Sequence, residues 1–202
     1  MSFMHEITKT LSVKIADKLA TDGYIIINEI LGVNLEKALY SRISHLENLS
    51  EGKIGRGMNR QKIEKIRSDK TLWLEGNEES EKEYLAWMES LQVSMNQELY
   101  MGLAEYEAHF SHYEKGAFYQ KHVDVLKGSN KRLLTTVFYL TADWKEGDGG
   151  ELLIYDEEGI NVIKKVPPRM GTMVIFLSDK FPHEVLASKI DRYSIAGWFK
   201  GS

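Results

Sequence analysis

Apolar residues recur along this chain in two rhythms. In the first half they fall three and four apart, the period of a helix with one buried face. Ile7, Leu11, Ile15 and Leu19 predict a helix over 7–20, and Asp22-Gly23 then turns the chain into a short buried strand, Tyr24-Ile25-Ile26-Ile27. A second helix is expected over 35–49, capped by Asn34, with Leu35, Leu39, Ile43 and Leu46 on one face and His45 as a partly exposed helical histidine. Glu78, Glu79, Glu81 and Glu83 form an acidic start suited to the positive end of a helix dipole. The long helix that follows is expected to run to about Leu103, with Leu85, Met88, Leu91, Met95, Leu99 and Leu103 as its buried stripe; its methionines read as core filler.

From about Ala108 the period shortens to that of strands. Candidates are 107–113, 117–124, 133–140, 151–155, 161–165, 172–177 and 192–199, separated by turn signals such as Lys127-Gly128-Ser129-Asn130, Gly147-Asp148-Gly149-Gly150 and Pro167-Pro168. Many short strands at near-regular spacing argue for a sandwich, barrel or jelly roll. The expected class is α+β: an antiparallel β core flanked by N-terminal helices. With no repeat and no clear linker, residues 1–202 read as a single domain, 1–106 mainly helical support and 107–202 the β core. Residues 51–62 fit neither rhythm. Three glycines and four basic residues there predict a mobile loop, with a possible strand in 65–74 leaving it.

Composition narrows the classes of function. A chain of 202 residues with 43% hydrophobic and 28% charged residues can bury a core. Its 26 basic against 30 acidic residues leave a net charge of −4, which does not favour nucleic acid as a partner. The absence of cysteine excludes disulfides and thiol nucleophiles. With no apolar run of membrane-spanning length and no secretory signal at the start, neither a membrane nor an exported location is expected, and the cytoplasm is the simplest assignment.

The chemistry centres on Tyr119-Gln120-Lys121-His122-Val123-Asp124. If this stretch is a strand, His122 and Asp124, two apart, share one face. An imidazole and a carboxylate side by side are two-thirds of the two-histidine, one-carboxylate set that holds non-haem Fe(II) with open coordination positions. His183, in Phe181-Pro182-His183-Glu184-Val185, lies 61 residues on (183 − 122) and opens another strand. Arg192 follows nine residues later (192 − 183), on a strand where Arg192, Ser194, Ala196 and Trp198 alternate with Tyr193, Ile195, Gly197 and Phe199. An inward guanidinium needs an anion: either an acidic side chain of the core rim or the carboxylate of a bound ligand.

This ordered pattern resembles the Fe(II)- and 2-oxoglutarate-dependent dioxygenases, and within them the prolyl 4-hydroxylases, including the hypoxia-factor prolyl hydroxylases and the bacterial enzyme that acts on elongation factor Tu. The resemblance runs from about Ile66 to Phe199, through Ile66-Arg67-Ser68-Asp69-Lys70-Thr71-Leu72-Trp73, Tyr113 to Asp124, Phe138-Tyr139-Leu140, Asp143-Trp144, Gly149-Gly150, Ser178-Asp179, Pro182 to Val185 and Arg192 to Trp198. It implies a double-stranded β-helix core. It implies that His122, Asp124 and His183 hold Fe(II), and that Arg192 with the Tyr139 hydroxyl binds the far carboxylate of 2-oxoglutarate. Tyr113 would lie near co-substrate and iron, and Val137, Leu152, Val185 and Trp198 would line the pocket; Tyr139, Leu152 and Val185 also fit as plain core.

By the same resemblance the loop at 51–65, with Arg56 and Arg60, would fold over a peptide containing the target proline. The expected activity is O2-dependent hydroxylation of a prolyl residue, with 2-oxoglutarate converted to succinate and CO2 and ascorbate a candidate reductant. Asp124, where related halogenases carry a small residue, argues for hydroxylation. Ser68 departs from the glycine many relatives carry there, which leaves the substrate open. Alternatives are a dioxygenase acting on a free amino acid or small molecule, and an iron- or 2-oxoglutarate-sensing module without turnover.

Overall fold

The computed structural model describes residues 7–46, 49–51, 66–125 and 132–201. Helix α1 spans Lys9–Thr21 and begins at Thr8, whose hydroxyl accepts from the Leu11 N–H. Strand β1 is Tyr24–Ile27. Helix α2 is Val33–Ser44, and α3, Glu79–Leu99, lies between the short strands β2 (Ser50–Glu51) and β3 (Lys70–Trp73) and the β-rich half. That half contains β4 (Leu103–Tyr113), β5 (Tyr119–His122), β6 (Arg132–Tyr139), β7 (Leu152–Tyr155), β8 (Val162–Val166), β9 (Met173–Leu177), β10 (His183–Val185) and β11 (Arg192–Gly201).

Helix α2 ends at Ser44, short of the expected 49, and two further helix boundaries differ from expectation for a local reason. Helix α2 starts after Gly32, which sits at φ +83°, so Asn34 lies inside the helix and makes no cap. Helix α3 stops at Leu99, where Tyr100 turns left-handed at φ +53°. Asn96 secures that stop: its side chain accepts from the Leu103 N–H and donates to the Leu103 carbonyl, both at 2.8 Å. Leu103 therefore opens a strand. The buried stripe of α3 is Tyr84, Trp87, Met88, Leu91 and Met95; Leu85 is only partly covered.

The strands form two antiparallel sheets, one in the order β1-β9-β6-β11-β4-β3-β2 and the other β5-β10-β7-β8. This is the double-stranded β-helix. The large sheet is buried on both faces, which is why β6 and β9 read as nearly unbroken apolar runs. On one face Phe110, Phe138, Ile175, Ile195 and Phe199 pack with residues of α1, α2 and α3. On the other Val137, Tyr139, Val174 and Phe176 meet Leu152, Ile154 and Val185 of the small sheet. The site lies between the sheets, in a cavity of about 270 Å³ lined from both. The expected basic lid falls almost wholly outside the described residues, Arg56 and Arg60 included; only Glu51 of that stretch is described, in β2.

Candidate active site

His122 ends β5 and His183 opens β10, and the two are direct partners across that antiparallel pair. Their rings lie 4.3 Å apart, centre to centre. Asp124 reaches the same point by another route than expected. The strand stops at His122, and Asp124 sits in a bend two residues beyond it instead of sharing a strand face. The cause is the shortness of β10: the His183–His122 pair lies at the end of both strands, so nothing on β10 holds the chain extended past that point.

The ligand atoms of His122, Asp124 and His183 all lie within 4.8 Å of one another, with the histidine Nε2 atoms 3.5 and 3.6 Å from the carboxylate. Each imidazole is oriented through its other nitrogen: His122 Nδ1 lies 2.8 Å from the Gln120 carbonyl and His183 Nδ1 2.9 Å from that of Phe181. A carbonyl can only accept, so both Nδ1 atoms carry hydrogen and both Nε2 atoms are the ones turned toward Asp124. Tyr119 stacks on His122 at 3.7 Å, and Phe176 meets His183 edge-on at 4.9 Å. Burial works against a charged Asp124, but His183 and His122 outweigh it and hold the carboxyl far below its usual range. The Trp198 indole N–H is buried with no hydrogen-bond partner among the described residues. Burial lowers His183, with the Asp124 carboxylate opposing.

At the other end of the cavity Arg192 is 1% exposed. Its Nε donates to the Gly150 carbonyl at 2.8 Å and one terminal nitrogen to Ser194 Oγ at 3.1 Å. Its guanidinium carbon sits 4.6 Å from the Tyr113 ring and 5.1 Å from that of Tyr139. Among the described residues it has no carboxylate partner, so the acidic side chain that could have explained a buried arginine is not there; Asp191, next in sequence, pairs with His112 at 2.9 Å. Among the described residues the Tyr139 hydroxyl is buried without a hydrogen-bond partner, and burial pushes it up to about 12, with Arg192 opposing. A buried cation and an unpartnered hydroxyl side by side fit an anionic ligand.

Tyr113, Val137, Leu152, Val185 and Trp198 line the cavity together with Arg192 and the three candidate ligands. The alternation on β11 holds: Arg192, Ser194, Ala196 and Trp198 all face it. Several lining residues were not singled out by type. His109 is buried between Trp73 and Trp198, with rings 5.2 and 5.4 Å away. Arg67 forms a buried two-point pair with Asp69, at 2.7 and 2.6 Å, and lies over the Tyr119 ring. Arg132 caps the Trp198 ring at 3.7 Å. Arg67 alone lay in a stretch that carried the resemblance; His109 and Arg132 gave no signal, because an arginine or histidine in an alternating strand otherwise reads as a surface residue.

A family model, the 2OG-Fe(II) oxygenase superfamily, matches residues 108–200. A solved Pseudomonas putida prolyl-4-hydroxylase is 34% identical, with 95% of this chain and 99% of that one covered and a TM-score of 0.84. The chain belongs to the 2OG-Fe(II) oxygenase superfamily. A Trichoplax adhaerens prolyl hydroxylase, solved with a hypoxia inducible factor peptide fragment, is 25% identical, with 98% of this chain and 96% of that one covered and a TM-score of 0.85. Human Egl nine homolog 1 is 31% identical over 66% of this chain. The chain spans 33% of that protein's length, and less than two thirds of each curated relative it matches most strongly. As an oxygenase of this superfamily the chain has a donor set of the right kind for ferrous iron, two imidazoles and one carboxylate facing a cavity.

Proposed function

We propose that this oxygenase is a prolyl 4-hydroxylase of a protein substrate, with elongation factor Tu first among the targets to test. The observation that carries the reading is Arg192: a fully buried guanidinium without a carboxylate partner among the described residues, in the same cavity as the His122, Asp124 and His183 donors. The likeness to two solved prolyl hydroxylases over nearly the whole chain supports the choice of proline.

In this reading His122, Asp124 and His183 hold iron, and Arg192 with Tyr139 grips the far carboxylate of 2-oxoglutarate. Bound together, iron, 2-oxoglutarate and O2 supply the oxidation, giving succinate and CO2 and placing one oxygen atom on the substrate. The chain supplies the rest. Gly150 and Ser194 fix the direction of the guanidinium, Val137, Leu152 and Val185 exclude water, and Trp198 and Trp73 line the cavity wall. The proposed location is the cytoplasm; no described helix is long and apolar enough to cross a membrane.

The test is anaerobic addition of Fe(II) and 2-oxoglutarate, then O2. We expect a weak visible absorption, then succinate, with a one-oxygen mass gain on a prolyl peptide of elongation factor Tu and ascorbate supporting repeated turnover. Succinate with no gain on any prolyl peptide would move the substrate to a small molecule. Absorption without succinate under any condition would leave a sensor.

A further inference from the structure

We infer that Thr135 and Ser178 form a two-hydroxyl relay that positions Asp124 as a one-oxygen metal ligand. This rests on the His122–Asp124–His183 cluster being the iron site, but not on the identity of the substrate.

The direction of each hydrogen bond follows from chemistry. A carboxylate that serves as a metal ligand is deprotonated and only accepts hydrogen bonds. Thr135 Oγ1 lies 2.8 Å from Asp124 Oδ2 and must donate to it. A hydroxyl has one proton, and Thr135 has spent its own. The 2.9 Å contact between Thr135 Oγ1 and Ser178 Oγ must then be donated by Ser178. Both hydroxyls are buried, Thr135 at 2% and Ser178 at 0% exposed, so water does not compete for them. Two donors in series, each polarising the next, end on one carboxylate oxygen. That oxygen carries the hydroxyl's hydrogen bond, which favours Oδ1, 3.5 Å from His122 Nε2, as the oxygen offered to a metal.

The relay also answers a mechanical need. Asp124 lies beyond the end of β5, where no ladder bond holds it, so its carboxylate takes its orientation from side chains. Thr135 stands on β6 in the middle of the large sheet, paired with Phe176 of β9 and Trp198 of β11. Ser178, just past β9, is fixed by its own N–H donating to the Leu133 carbonyl at 3.1 Å. The loosely supported ligand is thus tied to the most rigid part of the fold. Thr135 and Ser178 are positioning residues, acting through Asp124.

The experiment is Fe(II) titration of the metal-free protein under anaerobic conditions, for wild type, Thr135→Val, Thr135→Ser and Ser178→Ala. Thr135→Val keeps the branched shape and removes only the donor. It should weaken Fe(II) binding about 10- to 100-fold, the range for loss of a group that orients a metal ligand. Thr135→Ser should restore affinity to within a few-fold. Ser178→Ala should show a smaller loss, absent when made in the Thr135→Val background. Should Thr135→Val not fold, Ser178→Ala against wild type and Thr135→Ser carries the test, since affinity equal to wild type would overturn the relay. Wild type that binds Fe(II) while Thr135→Val binds equally well overturns the inference alone. Wild type that takes up no Fe(II) overturns the metal reading with it.

Discussion

Arg192 shows how much a single side chain depends on its neighbours. A Cβ added at Gly150 would lie 3.0 Å from Arg192 Cδ and 3.0 Å from Ser188 Oγ, and Gly150 already sits at φ +73°, where other residues are strained. Gly150→Ala should therefore displace the guanidinium, raise the 2-oxoglutarate KM and cost about 1–3 kcal/mol of stability, read by steady-state kinetics and urea unfolding. Arg192→Ala should raise that KM by about 10- to 100-fold, the value of charged hydrogen bonds of about 1.5–3 kcal/mol; an unchanged KM would count against its role. His183→Ala should abolish both the visible absorption and turnover, since two ligands hold Fe(II) poorly. At this scale the sequence was most readable. Two histidines, an aspartate and an arginine in a fixed order carry their chemistry in their side chains. Thr135 and His109 were not readable, because a threonine in Leu133-Leu134-Thr135-Thr136-Val137 looks like any strand former.

Elements were readable by type and less so by boundary. The apolar spacing of α3 continues through Leu99 to Leu103 across a turn, so pattern alone carried the helix four residues too far (103 − 99). Only the reach of the Asn96 side chain to Leu103 sets the true end. The extent of β5 was hidden for a similar reason. Phe118, Tyr119, Val123 and Val125 all favour a strand, but pairing decides where one stops, and its partner β10 has three residues. Met88, fully buried in α3 against the large sheet, gives a test of the supporting layer. Met88→Ala should destabilise the fold by about 2–5 kcal/mol in urea titration while leaving kcat per folded molecule unchanged. A fall in kcat would mean that the helical layer shapes the site and does more than support it.

For the whole molecule, acid should act partly through His109. Burial lowers it to about 4, against Asp69, which favours the charged ring. A histidine depressed in the folded state binds its proton more readily when unfolded. Its stabilisation is therefore complete above about pH 6.5 and is lost as the pH falls toward 4, a change of about 3 kcal/mol in order of magnitude. His109→Gln should flatten that part of the stability curve, measured by urea unfolding of metal-free protein from pH 4 to 7; an unaltered slope would show that His109 titrates normally.

The pairing of His122 with His183 has a consequence for endurance as well as for chemistry. Those residues stand on neighbouring strands whose connection runs through β6, β7, β8 and β9, so an ion gripped by both acts as a removable cross-link closing that long stretch of polypeptide. Ligand linkage gives about 2.7 kcal/mol when free metal is a hundred times its dissociation constant. Iron-replete protein should melt higher and resist protease longer than chelated protein, and starvation for iron would then lower the amount of this enzyme in a cell as well as its rate.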